Sequence, residues 1–161
     1  MHRKLAIVSL LCGLCLAGCQ PGGRTGVPSH GPYRLAGLEG GLGNGTMRLN
    51  EREALSLVST YRRGHGLPAL AYDPALMARA QALAETMART GHLLHANQAT
   101  AGTFVDVAAG HDTLEDAFSG WRYAPASRAH MLNGNMHRFA MAAVYAPHSR
   151  YRVFWAMIMA R

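Results

Sequence analysis

The chain has 161 residues, of which 49% are hydrophobic and 16% are charged, and its formal net charge is +7. This composition excludes a disordered chain, and the length suits one folded domain with a short leader or tail. Lys4 is the only lysine, so there is no lysine-rich tract of the kind found in nucleic-acid-binding tails. No apolar run reaches the roughly 20 residues of a membrane-spanning helix.

A secretory leader is predicted at residues 1–18. Two basic residues precede an apolar run at positions 5–16, and the segment ends in Leu16-Ala17-Gly18-Cys19. A basic start, a short apolar core and small residues before a cleavage site are the features of a signal peptide. The ending resembles the lipobox of bacterial lipoproteins, whose cysteine becomes the acylated N-terminus. An ordinary signal peptide that happens to contain a cysteine is the alternative.

The lipobox resemblance implies an exported protein that is anchored to the membrane of the cell envelope by lipid on Cys19. Gln20 follows the cysteine, and by resemblance to enteric lipoproteins this favours the outer membrane over the inner one. The other two cysteines, Cys12 and Cys15, lie in the leader, so the mature chain is expected to contain no disulfide.

A flexible tether is predicted between the lipidated cysteine and the folded domain, over residues 19–47. Residues 20–47 include nine glycines and three prolines. Such a stretch has too few apolar side chains to offset the entropy lost on ordering. The folded domain is therefore expected at residues 48–161.

Four helices are predicted in the domain from start and stop signals. A capping residue precedes three of them, and proline stands at the first helical position of the second. Glycine ends the first two. The predicted helices start after Asn50, after Asp73, after Thr113 and at residue 126, and the first two end before Gly64 and at Gly91.

The C-terminal third changes from a helical to a strand pattern. Residues 139–146 and 153–160 are nearly all apolar and flank a polar turn, which predicts a hairpin buried on both faces. Residues 105–107 add a short strand. Helices must cover both sides of this sheet, so the predicted fold is α+β, an α-β-α sandwich with a small antiparallel sheet.

The order of these segments resembles a bacterial CAP domain, the superfamily of cysteine-rich secretory proteins, antigen 5 and pathogenesis-related plant proteins, also called the SCP domain. The resemblance covers about residues 48–160 and implies the same α-β-α sandwich. The matching segments include GLPAL at 66–70, DPAL at 73–76, GHLLH at 91–95, VAAG at 107–110, the stretch from Trp121 to Leu132, and the closing Phe154-Trp155.

The CAP resemblance also implies a cleft in which two histidines and one or two acidic residues bind a divalent metal. His95 matches the first histidine. Val105 stands at the glutamate position, Ser127 at the second histidine position, and His130 at an asparagine position one helical turn later. Asp106 adjoins Val105, but strand neighbours point to opposite faces, so it is expected to turn away from the cleft.

These departures leave one of three usual ligands, whereas catalytic zinc requires three protein ligands. No cofactor is therefore expected beyond a weakly bound divalent metal on His95 and His130. A Ser-His-Asp hydrolase could draw on Ser127, His95 or His130, and Asp106 or Asp112, but the Gly-x-Ser-x-Gly elbow is missing.

Three functional hypotheses follow from the sequence. The favoured one is a non-enzymatic lipoprotein that binds a small molecule, a lipid or an envelope component through the cleft near His95. The second is a weak hydrolase or metal-dependent enzyme that uses His95 and His130. The third is a structural envelope lipoprotein without a cleft ligand. A monomer that binds no nucleic acid is expected in each case.

Overall fold

The computed structural model describes residues 48–94 and 100–161. The leader, Cys19, the tether and His95 lie outside the described residues, so the predictions made for them stay predictions. Within the described ranges, no helix is both long and apolar enough to cross a membrane.

The described residues form four helices, and side-chain caps begin the first three, whereas the fourth begins at a proline without a side-chain cap. The Asn50 side chain accepts hydrogen bonds from the backbone of Arg52 and Glu53 at 3.1 and 3.4 Å, and Asp73 caps the second helix in the same way. That helix ends at Gly91, whose φ of 73° is readily available to glycine. These features confirm the predicted helices. Their bounds are Glu51–Arg63 (α1), Pro74–Thr90 (α2), Leu114–Tyr123 (α3) and Pro125–Met131 (α4).

The described residues form one four-stranded sheet in the order β1-β3-β4-β2. The predicted C-terminal hairpin is confirmed by the antiparallel pair β3 and β4, and β2 pairs antiparallel with β4. The sheet is mixed rather than purely antiparallel, because the two-residue strand β1 runs parallel to β3. The strand bounds are Ala71–Tyr72 (β1), Thr103–Ala109 (β2), Arg138–Ala146 (β3) and Arg152–Ala160 (β4).

Two apolar cores cover the two faces of the sheet, which confirms the α-β-α sandwich. One core includes Leu57 of α1, Phe118 of α3 and Met131 of α4. The other core includes Leu83 and other residues of α2. Because both faces are covered, every residue of β4 after Arg152 is buried, which explains its continuous apolar sequence.

Strand β2 lies at the edge of the sheet, and its side chains alternate between the two cores. Phe104 and Ala108 pack on the core formed by α1, α3 and α4, whereas Val105 and Val107 pack on the α2 core. Asp106 has the same parity as Phe104 and therefore faces the side of α4.

A buried arginine ties α1 to the segment between α4 and β3. The Arg62 side chain has no exposed surface. Its guanidinium group donates to four backbone carbonyls at 2.7 to 3.1 Å. Burial lowers the pKa of this group, because an ion loses hydration in the protein interior. These carbonyl acceptors belong to Pro68, Met131, Asn133 and Met136.

Candidate functional site

A histidine of α4 and an aspartate of β2 form the central pair of the candidate site. The Nδ1 atom of His130 lies 3.1 Å from both carboxylate oxygens of Asp106. Asp106 is buried, while 26% of the His130 side chain is exposed. An ionised carboxylate only accepts hydrogen bonds, so Nδ1 carries the proton in this contact and Nε2 is left as an acceptor in the neutral ring.

Phe104 fixes the plane of the His130 ring. The two ring centroids are 4.1 Å apart, and the planes differ by 10°. Phe104 reaches the histidine because it stands two residues before Asp106 on the same face of β2. The imidazole is therefore held on one face by an aromatic ring and on one nitrogen by a carboxylate.

Ser127 lies one helical turn before His130 on α4 and is half-buried. Within the described ranges, its hydroxyl forms no hydrogen bond with His130. The other aspartate considered for a hydrolase, Asp112, forms an ion pair with Arg152 at 3.4 Å. Of the Ser-His-Asp combinations that the sequence allows among described residues, the structure thus brings together only the pair of His130 and Asp106.

Val105 lies on the opposite side of the sheet from this pair. It is 2% exposed and packs in the α2 core. It also lines a cavity of about 260 Å³ together with Arg79, Thr86 and Leu94. The structure therefore does not bring Val105 together with His130.

The expectation that Asp106 turns away from the site is wrong. Adjacent residues of β2 do point to opposite faces of the sheet. It is Asp106, however, and not Val105 that lies on the face where His130 packs. The physical reason is that an aspartate in the apolar α2 core would be buried without a partner, whereas on the α4 side His130 provides one.

The ligand set that the family resemblance implies does not fit the described residues. Catalytic zinc needs three protein ligands. Across residues 48–94 and 100–161, no group of three or more His, Cys, Asp or Glu side chains could hold a metal ion. Asp106 and His130 supply two donors, and His95 lies outside the described residues.

Sequence reasoning missed Phe104 as the ring partner of His130 and Arg62 as a buried hub. The contact with Phe104 had a usable signal, because residues 104 and 106 of a strand share a face. Arg62 had no such signal, because a second arginine, Arg63, stands beside it in the sequence and proves to be exposed. The sequence does not indicate which of two adjacent arginines enters the core.

The fold and this site define a CAP-type α-β-α sandwich that carries a carboxylate–histidine pair. The profile of the cysteine-rich secretory protein family, CAP, matches residues 55–159, and the chain belongs to this family. A search of curated proteins gives no match.

Two solved structures are similar in fold. An extracellular protein containing an SCP domain from Bacillus anthracis is 18% identical, with a TM-score of 0.58; the match covers 69% of this chain and 40% of that protein. An outer surface protein from Borrelia burgdorferi is 13% identical, with a TM-score of 0.59, over 71% of this chain and 97% of that protein. This chain thus spans well under half the length of the Bacillus protein. At these identities the similarity establishes the fold alone.

Proposed function

We propose that this chain is an exported, lipid-anchored envelope protein whose CAP domain binds a ligand through the face where His130 and Asp106 meet. The predicted leader and lipobox support export and anchoring. The two proteins of similar structure, an extracellular protein and an outer surface protein, agree with export. The ligand is a small molecule, a lipid or another envelope component.

The observation that carries the proposal is the fixed but accessible ring of His130. Asp106 holds the Nδ1 atom, Phe104 stacks on one face of the ring, and 26% of the His130 side chain remains exposed. A preorganised polar group loses little conformational entropy when a ligand binds, so it contributes more affinity than a mobile surface histidine.

Histidine nitrogen spectroscopy tests this ligand site. The full chain, labelled with ¹⁵N-histidine and held in non-ionic detergent, is titrated separately with envelope lipids and with soluble cell-wall fragments. One of the two titrants, the envelope lipids or the cell-wall fragments, is expected to shift the His130 ring signals. Asp106→Asn is expected to weaken the affinity measured from this shift about tenfold. Asp112→Asn is the matched control, because Asp112 pairs with Arg152 on the surface. Unchanged His130 signals with both titrants would contradict the proposal.

Detergent partitioning tests the anchor. Wild type is expected in the detergent phase and Cys19→Ala in the aqueous phase or as an uncleaved precursor, because each buried methylene of an acyl chain contributes about 0.8 kcal/mol. Recovery of both proteins in the aqueous phase would refute lipid anchoring without affecting the ligand site.

A weak hydrolytic activity is the second candidate function, favoured by the same carboxylate–histidine contact. A histidine with Nδ1 held by a carboxylate has Nε2 ready to accept a proton as a general base. An activated acetyl ester measures this activity, and His130→Gln is expected to lower it. The matched control is His137→Gln, which changes an exposed histidine. Equal rates in both variants would remove the enzyme hypothesis.

A further inference from the structure

An Asn-Gly pair, Asn133 and Gly134, stands in the segment between α4 and β3. Asn133 is half-buried and Gly134 is exposed. Such a pair is chemically labile, because glycine has no Cβ atom to hinder attack of its backbone nitrogen on the preceding asparagine side chain. The backbone N–H of Asn133 donates to the His130 carbonyl at 3.1 Å. A chemical change at Asn133 therefore acts on the chain beside the candidate site.

The conformation of this segment activates the Asn133 side chain. The backbone N–H of Asn135 donates to the Oδ1 atom of Asn133 at 2.9 Å. A donor at this distance stabilises the negative charge that develops on the oxygen when a nucleophile adds to Cγ, as the donors of an oxyanion hole do. The side-chain carbonyl of Asn133 is therefore polarised toward attack by the next residue.

The backbone nitrogen of Gly134 is free to act as that nucleophile. The N–H groups on both sides of it, those of Asn133 and Asn135, donate to the His130 carbonyl and to the Asn133 side chain. Within residues 48–94 and 100–161, the Gly134 N–H itself donates to no backbone or side-chain acceptor. A hydrogen bond stabilises the protonated form of a donor, so the unbonded Gly134 N–H loses its proton more readily than its neighbours do.

We propose that Asn133 is a site of spontaneous deamidation. The Gly134 nitrogen forms a bond to Cγ of Asn133, the bond from Cγ to Nδ2 breaks, and ammonia leaves with the proton of the Gly134 amide. Water then opens the resulting five-membered imide at either of its carbonyls. One opening gives aspartate, and the other gives isoaspartate, in which the main chain passes through Cγ. Both products carry a new negative charge at neutral pH.

The isoaspartate product changes an acceptor of Arg62. The Asn133 carbonyl accepts hydrogen bonds from the Arg62 guanidinium at 2.9 Å and from the Met136 N–H at 3.2 Å. In isoaspartate this carbonyl becomes part of a free carboxylate, and the main chain to Gly134 gains one carbon atom. The turn from Asn133 to Met136 is then too long for its present hydrogen bond, so the segment next to His130 must rearrange.

Peptide mapping by mass spectrometry tests the modification. The full chain in non-ionic detergent is incubated in mildly alkaline buffer and compared with fresh protein. Asn133 is expected to gain the mass of water minus ammonia at least ten times faster than Asn50, whose side chain caps α1. Electron-transfer fragmentation distinguishes aspartate from isoaspartate. Asn44, which precedes Gly45 in the predicted tether, is the positive control for the incubation.

Gly134→Ala is the variant that isolates the attack. The φ angle of Gly134 is not positive, and a Cβ atom there would meet only Leu67 Cδ2, at 3.7 Å, so alanine fits the present backbone. Its methyl group hinders approach of the residue 134 nitrogen to Cγ of Asn133, and conversion at Asn133 is expected to slow at least tenfold. Conversion at Asn44 is the matched internal control and is expected to keep its rate in this variant.

Histidine nitrogen spectroscopy on the same samples tests the effect on His130. Aged wild type is expected to show a second set of His130 ring signals that grows in proportion to isoaspartate, whereas aged Gly134→Ala is expected to keep a single set. This inference goes beyond the proposed function, because neither lipid anchoring nor ligand binding takes part in the reaction.

Three results would overturn the inference: conversion of Asn44 without conversion of Asn133, equal rates at Asn133 in wild type and Gly134→Ala, or unchanged His130 signals while isoaspartate accumulates. None of these results bears on lipid anchoring or on ligand binding by fresh protein.

Discussion

Replacing Arg62 with methionine tests whether a buried cation holds the segment that follows the candidate site. The Arg62 guanidinium donates to the carbonyl of Met131, which directly follows His130, and to those of Asn133 and Met136 before β3. Methionine keeps the length and most of the apolar volume of the side chain but removes all donors and the charge. The variant therefore measures the combined contribution of the hydrogen bonds and the charge.

The expected loss in the free energy of unfolding can be worked out from the burial of the four carbonyl acceptors. The contacts with Met131 and Met136 are buried, and those with Pro68 and Asn133 are partly buried. A buried acceptor left without a partner costs about 1–3 kcal/mol, and water can reach the partly buried pair. Two such acceptors give a loss of about 2–6 kcal/mol, a large part of the 5–15 kcal/mol that is usual for a domain.

Urea unfolding followed by circular dichroism measures this loss. With a slope of about 1–3 kcal/mol per molar urea, a loss of about 4 kcal/mol moves the midpoint by roughly 1.3–4 M. Arg63→Met is the control, because Arg63 is exposed and its guanidinium donates to the Thr60 hydroxyl of the same helix. Arg62→Lys is expected to lie between wild type and Arg62→Met, since an ammonium cannot span four acceptors. Equal midpoints for the Arg62 and Arg63 methionine variants would refute the reasoning.

Three further variants test the site and the caps. Ser127→His adds an imidazole one helical turn from His130 and completes a set of three zinc ligands with His130 and Asp106. Calorimetry is expected to show zinc binding at least tenfold tighter than in wild type. Unchanged affinity would show that the side chain of residue 127 cannot reach a zinc ion bound by His130 and Asp106. Val105→Glu is expected to lower the free energy of unfolding by about 3 kcal/mol or more without a gain in zinc affinity, because it buries a carboxylate in the α2 core. Asp73 accepts backbone hydrogen bonds and pairs with Arg138, which lowers its pKa, so its contribution is present at neutral pH and lost in acid. Asp73→Asn should flatten the acid limb of a stability–pH curve, and an unchanged limb would contradict this.

The fold was largely predictable because its signals are local. Asn50 and Asp73 fix helix starts through their own side chains, and Gly91 ends α2 with a backbone conformation that other residues rarely adopt. The two apolar runs around a short turn define the hairpin β3–β4. None of these assignments needs knowledge of a distant partner. By contrast, β1 has only two residues, too few for any periodic pattern, so its parallel pairing with β3 was missed.

The site was less predictable because it depends on contacts between distant segments. His130 and Asp106 are 24 positions apart, and their contact requires α4 to pack on one particular face of β2. Alignment to the family by sequence order placed Val105 at the acidic position, one residue from the side chain that meets His130. Adjacent strand residues face opposite sides of the sheet, so the residue at the family's acidic position lies in the apolar α2 core, while its neighbour Asp106 makes the polar contact.

The helix that presents His130 depends on tertiary contacts at its C-terminal end, and this affects how mutations of the site are interpreted. Helix α4 has seven residues and no side-chain hydrogen bond at its N-cap, so it would be marginal in isolation. Its stability comes from the contact of His130 with Asp106 and from Arg62 at the Met131 carbonyl. A loss of binding in an Arg62 variant would consequently report a displaced helix rather than a ligand contact. Only variants that keep the urea midpoint of wild type, compared with matched surface controls, can assign a binding role to His130 itself.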